Sequence, residues 1–253
     1  MKPLLFLLYS LFFLPLCAQD LSLRAPNEDF KFVDQRNGPG NSCGPASLLN
    51  AFGAGSDKWQ KAYAKIPGTN DRSRISAIIK SWGLAPSAKL PDHKKWSPKS
   101  GCNFVDLTTM AEEFRKLQWN LPKLKSELYF ASSEAESQAH LKLAHKRLSK
   151  SLKKGFPPIL SIRRFVYRND QWQSVHGHFV VLTAMPSKLT DGSNQFAIEF
   201  NDPAGAKVYQ GQISASQSIP SLILQCPTNT IGKNLVRKGE KQALAFTGAI
   251  GVW

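Results

Sequence analysis

Carboxylates are scarce in this chain. Its 18 Asp and Glu stand against 33 Lys and Arg, which gives a formal charge of +15 at pH 7. An excess of that size draws a protein to anionic surfaces such as cell-envelope polymers, acidic lipids or acidic proteins. No nucleic-acid-binding motif accompanies the charge, so nucleic acid is not an expected partner. Long apolar runs are equally rare. One runs from Leu4 to Leu16 behind Met1-Lys2-Pro3, and no later segment is apolar enough to span a bilayer. This is the pattern of a signal peptide over 1–18, with small Ala18 before the cut, and it makes 19–253 a secreted or periplasmic chain. Internal repeats are absent, and 19–253 is expected to form one domain.

Cysteine is sparse too: Cys17, Cys43, Cys102 and Cys226. Leu16 stands where a lipoprotein signal wants Gly, Ala or Ser, which argues against lipid attachment at Cys17. Three cysteines remain after cleavage, and an odd number in an oxidising compartment suggests one bridge and one thiol. Cys102 in Ser-Gly-Cys-Asn and Cys226 in Leu-Gln-Cys-Pro have loop-like surroundings and are the candidates for the bridge.

What is present centres on Asn41-Ser42-Cys43-Gly44-Pro45-Ala46-Ser47-Leu48-Leu49-Asn50. Gly38-Pro39-Gly40 predicts a loop, and the run after Cys43 predicts a helix over about 44–52 with Leu48, Leu49 and Phe52 on one buried face. A cysteine at a helix N-terminus faces unpaired N–H groups and the positive end of the macrodipole, which favour the thiolate.

Further helices are expected over 73–82, over 106–119 with Asp106 or Thr108 as cap, and over 133–154 with Ser133 as cap and Gly155 as stop. The Pro-, Lys- and Ser-rich stretch 86–101 reads as a surface excursion. Strands follow at 159–162, 178–184 and 195–202, with shorter pieces near 123–130, 207–210, 221–224 and 246–253. Helices first and strands last give an α+β chain.

If 178–184 and 195–202 form a symmetric hairpin about Thr190, His178 and Asp202 become cross-strand neighbours on one face. A carboxylate in that place orients an imidazole and stabilises its protonated form. Cysteine catalysis needs a thiolate, a histidine, a group to hold that histidine and donors for the oxyanion. Cys43, His178, Asp202 and Gln35 match those needs in type and order. His176 shares its side of the strand with His178, but His178 leads the apolar run.

These blocks resemble the papain-like cysteine peptidases, in particular the bacteriocin-processing double-glycine branch. The resemblance rests on Gln35 with Cys43-Gly44-Pro45-Ala46-Ser47, on Gly155-Phe156-Pro157-Pro158, on Gly177-His178-Phe179-Val180, and on Asn201-Asp202-Pro203-Ala204-Gly205. It implies a helical half packed on an antiparallel-sheet half, with the site in the cleft between them. It assigns Cys43 as nucleophile, His178 as acid and base, Asp202 as its orienting residue and Gln35 as oxyanion donor, with no cofactor and no metal. Gln35 lies eight residues before Cys43, and the inserted Gly-Pro-Gly leaves Asn41 as the other possible donor.

The implied activity is an exported peptidase or amidohydrolase that cleaves a peptide or protein substrate through a thioester acyl-enzyme. Two alternatives stay open. The same blocks resemble phytochelatin synthases, in which the acceptor is an amine and the reaction is γ-glutamyl transpeptidation. A basic domain of this kind that binds an anionic envelope ligand without chemistry is the other.

Overall fold

The computed structural model describes residues 20–227 and 231–253. The expected signal peptide over 1–18, with Cys17, lies outside them. A two-residue strand, β1 (Leu23–Arg24), and a 3-10 turn at Gln35–Asn37 lead to α1 (Cys43–Gly53). Leu48, Leu49 and Phe52 of α1 are fully buried, because these long apolar side chains fall on the face turned to the other helices. Phe52 stacks on Phe114 at a centroid distance of 3.9 Å. Around α1 gather α2 (Asp57–Tyr63), α3 (Asp71–Ile78), which continues into a π-helical turn at Ile79–Gly83, and α4 (Phe104–Arg115).

The cap of α4 is Asn103, whose side chain accepts from the Asp106 N–H. The Asp106 carboxylate is used elsewhere, accepting from Ser87 Oγ and the Ala88 N–H. Before α4, two short strands, β2 (Trp96–Ser97) and β3 (Gly101–Cys102), pair as a small hairpin. After it come β4 (Lys125–Leu128) and α5 (Glu134–Lys153), the latter capped by Ser133.

The remaining strands are β5 (Ile159–Arg168), β6 (Gln171–Met185), β7 (Gln195–Asp202), β8 (Lys207–Ser214), β9 (Leu222–Gln225) and β10 (Gln242–Gly251). They pair antiparallel in the order β6-β5-β10-β9-β8-β7, and β7 then pairs with β6. The sheet therefore closes into a six-stranded barrel, with β1 added along β6 and β4 along β10.

This closure overturns the expected papain-like α+β architecture of a helical half laid on an antiparallel sheet. The physical cause lies in β6. At 15 residues it is long enough to pair with β5 through Val181 and still present Val181 to Ala184 to β7, so no free edge is left there. β5 and β6 are joined by a two-residue turn, with Asn169 and Asp170 both at positive φ.

Strand alternation gives the barrel wall two apolar faces. Leu160, Ile162, Val180 and Leu182 cluster with Leu141, Leu148 and Leu152 of α5. Ile159, Phe179 and Val181 cluster with Leu48, Leu49 and Phe52 of α1. The start of α1 is thus pressed against β6 near His178.

Candidate active site

α1 begins at Cys43 with an uncapped end. The preceding Ser42 makes no capping bond, and its hydroxyl donates to the Gln35 carbonyl at 3.2 Å. The first N–H groups of the helix are left to whatever anion sits there. Ser47 and Asn50 hold the helix in place. Ser47 Oγ donates to the Phe179 carbonyl at 3.0 Å, one residue after His178. Asn50 Nδ2 donates to Asn201 Oδ1 at 2.9 Å, one residue before Asp202, while its Oδ1 accepts from the Val33 N–H at 2.7 Å. One helix face is thereby joined to β6, to β7 and to the segment that leads to Gln35.

His178 and Asp202 meet, although not as direct opposites. The register runs Leu182 to Phe200 and Val181 to Asn201, so its continuation sets Asp202 across from Val180. A shift between Leu182 and Ala184 makes the connection asymmetric, and the offset from the expected pairing is two residues. Two residues preserve the face, and the imidazole spans the diagonal. His178 Nε2 donates to Asp202 Oδ1 at 2.8 Å, with both side chains buried at 6 % and 4 % exposure. Asp202 Oδ1 also accepts from the Ala204 N–H at 2.8 Å.

With Nε2 engaged, the other ring nitrogen of His178 is the one left for the Cys43 thiol, with which this imidazole interacts. Burial raises the Cys43 pKa, but the hydrogen bond and charge of His178, together with the Phe179 and Gly44 N–H groups, bring it below its ordinary value. Burial lowers that of His178, and the bonds to Asp202 and Cys43 outweigh it and raise it to about 10. The arrangement favours a thiolate–imidazolium pair. His176 is shifted the other way, downward, by burial, by the charge of His178 and by Arg164.

The two candidate oxyanion donors differ in what they already bond. Asn41, at φ 55°, donates its side-chain amide to the carbonyls of Pro98 at 2.8 Å and Lys99 at 3.0 Å. Its own carbonyl accepts from Trp96 Nε1 at 3.0 Å. Asn41 is a clamp on the β2–β3 hairpin, and its amide is spent there. Gln35 is held by its backbone, donating its N–H to the Pro203 carbonyl at 2.8 Å, and its side-chain oxygen is buried without a partner. Its side-chain amide bonds to no other described residue. Gln35 does not line the cleft at Cys43, whereas His178, His176 and Asn41 do.

That cleft, of about 400 Å³, lies between β5–β6 and the stretch read as a surface excursion. Lys94, Lys95 and Lys99 come from that stretch, so it forms a wall of the site rather than a loop away from it. The expected bridge between Cys102 and Cys226 does not form. Cys102 packs beside α1 and Cys226 against the other apolar cluster. Cys102 is a free thiol so close to α1 that a Cβ on Gly44 would lie 2.3 Å from its sulfur. Burial, the charge of Cys43 and that of Asp106 push the Cys102 thiol well up, which keeps it protonated. Among the described residues no three His, Cys, Asp or Glu gather in an arrangement able to hold a metal ion, and no helix is long and apolar enough to cross a membrane.

Ser47, Asn50, Asn201 and Asp34 escaped the reading of the sequence. Asp34 ties the Gln35 turn to the loop beyond Asp202 by accepting from the Gly205 N–H at 2.9 Å. A signal for the first two existed: Ser47 and Asn50 are polar, three apart and therefore on one face of an otherwise apolar helix. No protein-family model matches the chain, and no curated protein matches it either.

Proposed function

We propose that the chain is a thiol hydrolase that cleaves a peptide or other amide bond through a thioester on Cys43. The observation that carries this reading is the buried His178 imidazole, held by Asp202 at 2.8 Å and lining one cleft with Cys43, whose thiol it draws below its ordinary pKa. The resemblance of the Cys43 and His178 blocks to cysteine peptidases supports the chemistry, although not the fold. The leader-like composition of 1–18 supports an exported setting.

In this mechanism the Cys43 thiolate attacks the amide carbon. The Cys43 N–H and the Gln35 side-chain amide take up the charge on the carbonyl oxygen. His178 gives its proton to the leaving amine, and the thioester remains on Cys43. A water then attacks the thioester as His178 takes one of its protons, the acid is released and the thiolate regains its imidazolium partner. Asp202 keeps the ring oriented and favours the protonated form throughout.

The test is turnover of a fluorogenic peptide library by the wild type and by Cys43→Ala and His178→Ala. Both variants are expected to lose turnover while keeping the fold. Residual turnover in Cys43→Ala equal to the wild type would contradict the proposal.

A further inference from the structure

We infer that the substrate carries carboxylates beside the scissile amide, and that Arg163 with Lys94, Lys95 and Lys99 selects it. The inference rests on the thiol hydrolase reading above and adds the substrate class. Its first support is the composition of the cleft. Four permanent cations line it, together with the three histidines 93, 176 and 178, and no Asp or Glu does.

The second support is the lack of counter-ions. Some arginines of other regions are matched to carboxylates, as in Arg168 with Glu240, Arg147 with Glu127, Arg115 with Glu112 and Arg36 with Asp34. None of the four cleft cations has a carboxylate within ion-pair distance among the described residues; Arg163 reaches only Ser174 Oγ, at 3.4 Å. Like charges gathered without counter-ions repel one another and raise the local concentration of anions.

The third support is room. Arg163 on β5 stands across from Gly177 of β6, and a Cβ added to Gly177 would meet nothing within 4 Å. Facing residues of paired strands share a face. The missing side chain therefore leaves space next to the guanidinium, one residue from His178, where a carboxylate can lie and accept two parallel N–H bonds. The lysines face it from the hairpin across the cleft. An acidic peptide, bearing Asp, Glu or a free terminal carboxylate near the bond to be cut, fits this pattern.

The experiment compares alkylation of Cys43 in the full chain by iodoacetate and by iodoacetamide, reagents of the same size that differ by one charge. Peptide mapping reads the site, and the neutral reagent is the internal reference. At low ionic strength iodoacetate should react about tenfold faster, at the low end for clefts lined by one sign of charge, and the advantage should shrink with salt. The imidazolium of His178 contributes to that ratio, so the variants decide. Arg163→Gln and the triple Lys94→Gln, Lys95→Gln, Lys99→Gln should each cut the ratio severalfold. A triglutamate peptide should protect Cys43 from iodoacetamide better than triglutamine does. An unchanged ratio in both variants, or equal protection by the two peptides, overturns the inference and leaves the hydrolase reading intact. Failure of iodoacetamide to prefer Cys43 over Cys102 overturns the hydrolase reading, and the inference with it.

Discussion

The two walls of the cleft are built in opposite ways. On one side, α1, β6 and β7 are bolted together by buried polar bonds: Ser47 to the Phe179 carbonyl, Asn50 to Asn201, and His178 to Asp202. On the other, the hairpin consists of two strands of two residues each, and the lysines in and before it meet no carboxylate among the described residues. It is tied to the start of α1 by Asn41 and Trp96. Groups that move protons and electron pairs need sub-ångström placement, which only packed elements supply. Groups that attract a charged ligand act over longer distances and tolerate a loop. In the proposed reaction the first wall carries the reactivity, and selection falls to the lysines of the second together with Arg163, which stands on β5 beside the first.

The sharpest way to break this comparison is on the first wall. Replacing His178 by Ala should lower turnover by about 10²-fold or more, the usual contribution of a positioned acid and base, and should also slow alkylation of Cys43 at neutral pH. If only turnover falls, His178 does not set the state of the thiol. Gln35→Ala comes next, with a loss of about 10²- to 10³-fold in kcat, as expected for one oxyanion donor. Asn41→Ala should act differently. It unties Pro98 and Lys99, so KM should rise more than kcat falls; the reverse result would make Asn41 the donor and Gln35 a bystander.

A smaller effect is a shift in pH dependence. His178 stays protonated up to about pH 10, so turnover should hold on the alkaline side until that range and then fall. Asp202→Asn removes the carboxylate that raises this pKa, and the alkaline limb should move to lower pH. An unmoved limb would mean that Asp202 acts through structure alone. The smallest expected effect on chemistry, but a clear one on stability, is that of Asn50→Ala. It strands the Val33 N–H and Asn201 Oδ1 inside the core, costing about 3 kcal/mol in chemical denaturation. The loss should not alter the reaction of the remaining folded protein.

Local pattern made part of this legible. The apolar stripe and the Gly-Pro step after Cys43 predict α1, and the even spacing between His178 and Asp202 predicts a shared face. Even the two-residue register offset keeps that face, because strands repeat every two residues. The closed barrel was not legible, since pairing β7 back to β6 leaves no mark in either strand alone. The Pro- and Lys-rich stretch 86–101 looked like a surface loop for the same reason: its composition is that of a loop, and only the clamp by Asn41 turns it toward Cys43. The expected bridge failed because loop-like surroundings say nothing about which core a cysteine faces.

Selective alkylation of the thiols reads the ionisation of Cys43 without any substrate. Iodoacetamide labelling of the wild type across a pH series, read by peptide mapping, compares Cys43 with its neighbour Cys102 in one molecule. Cys43 should be labelled at lower pH than an ordinary thiol while Cys102 stays unlabelled, and the difference should disappear in His178→Ala. Labelling of the two cysteines together near pH 9, or of Cys102 first, would contradict it.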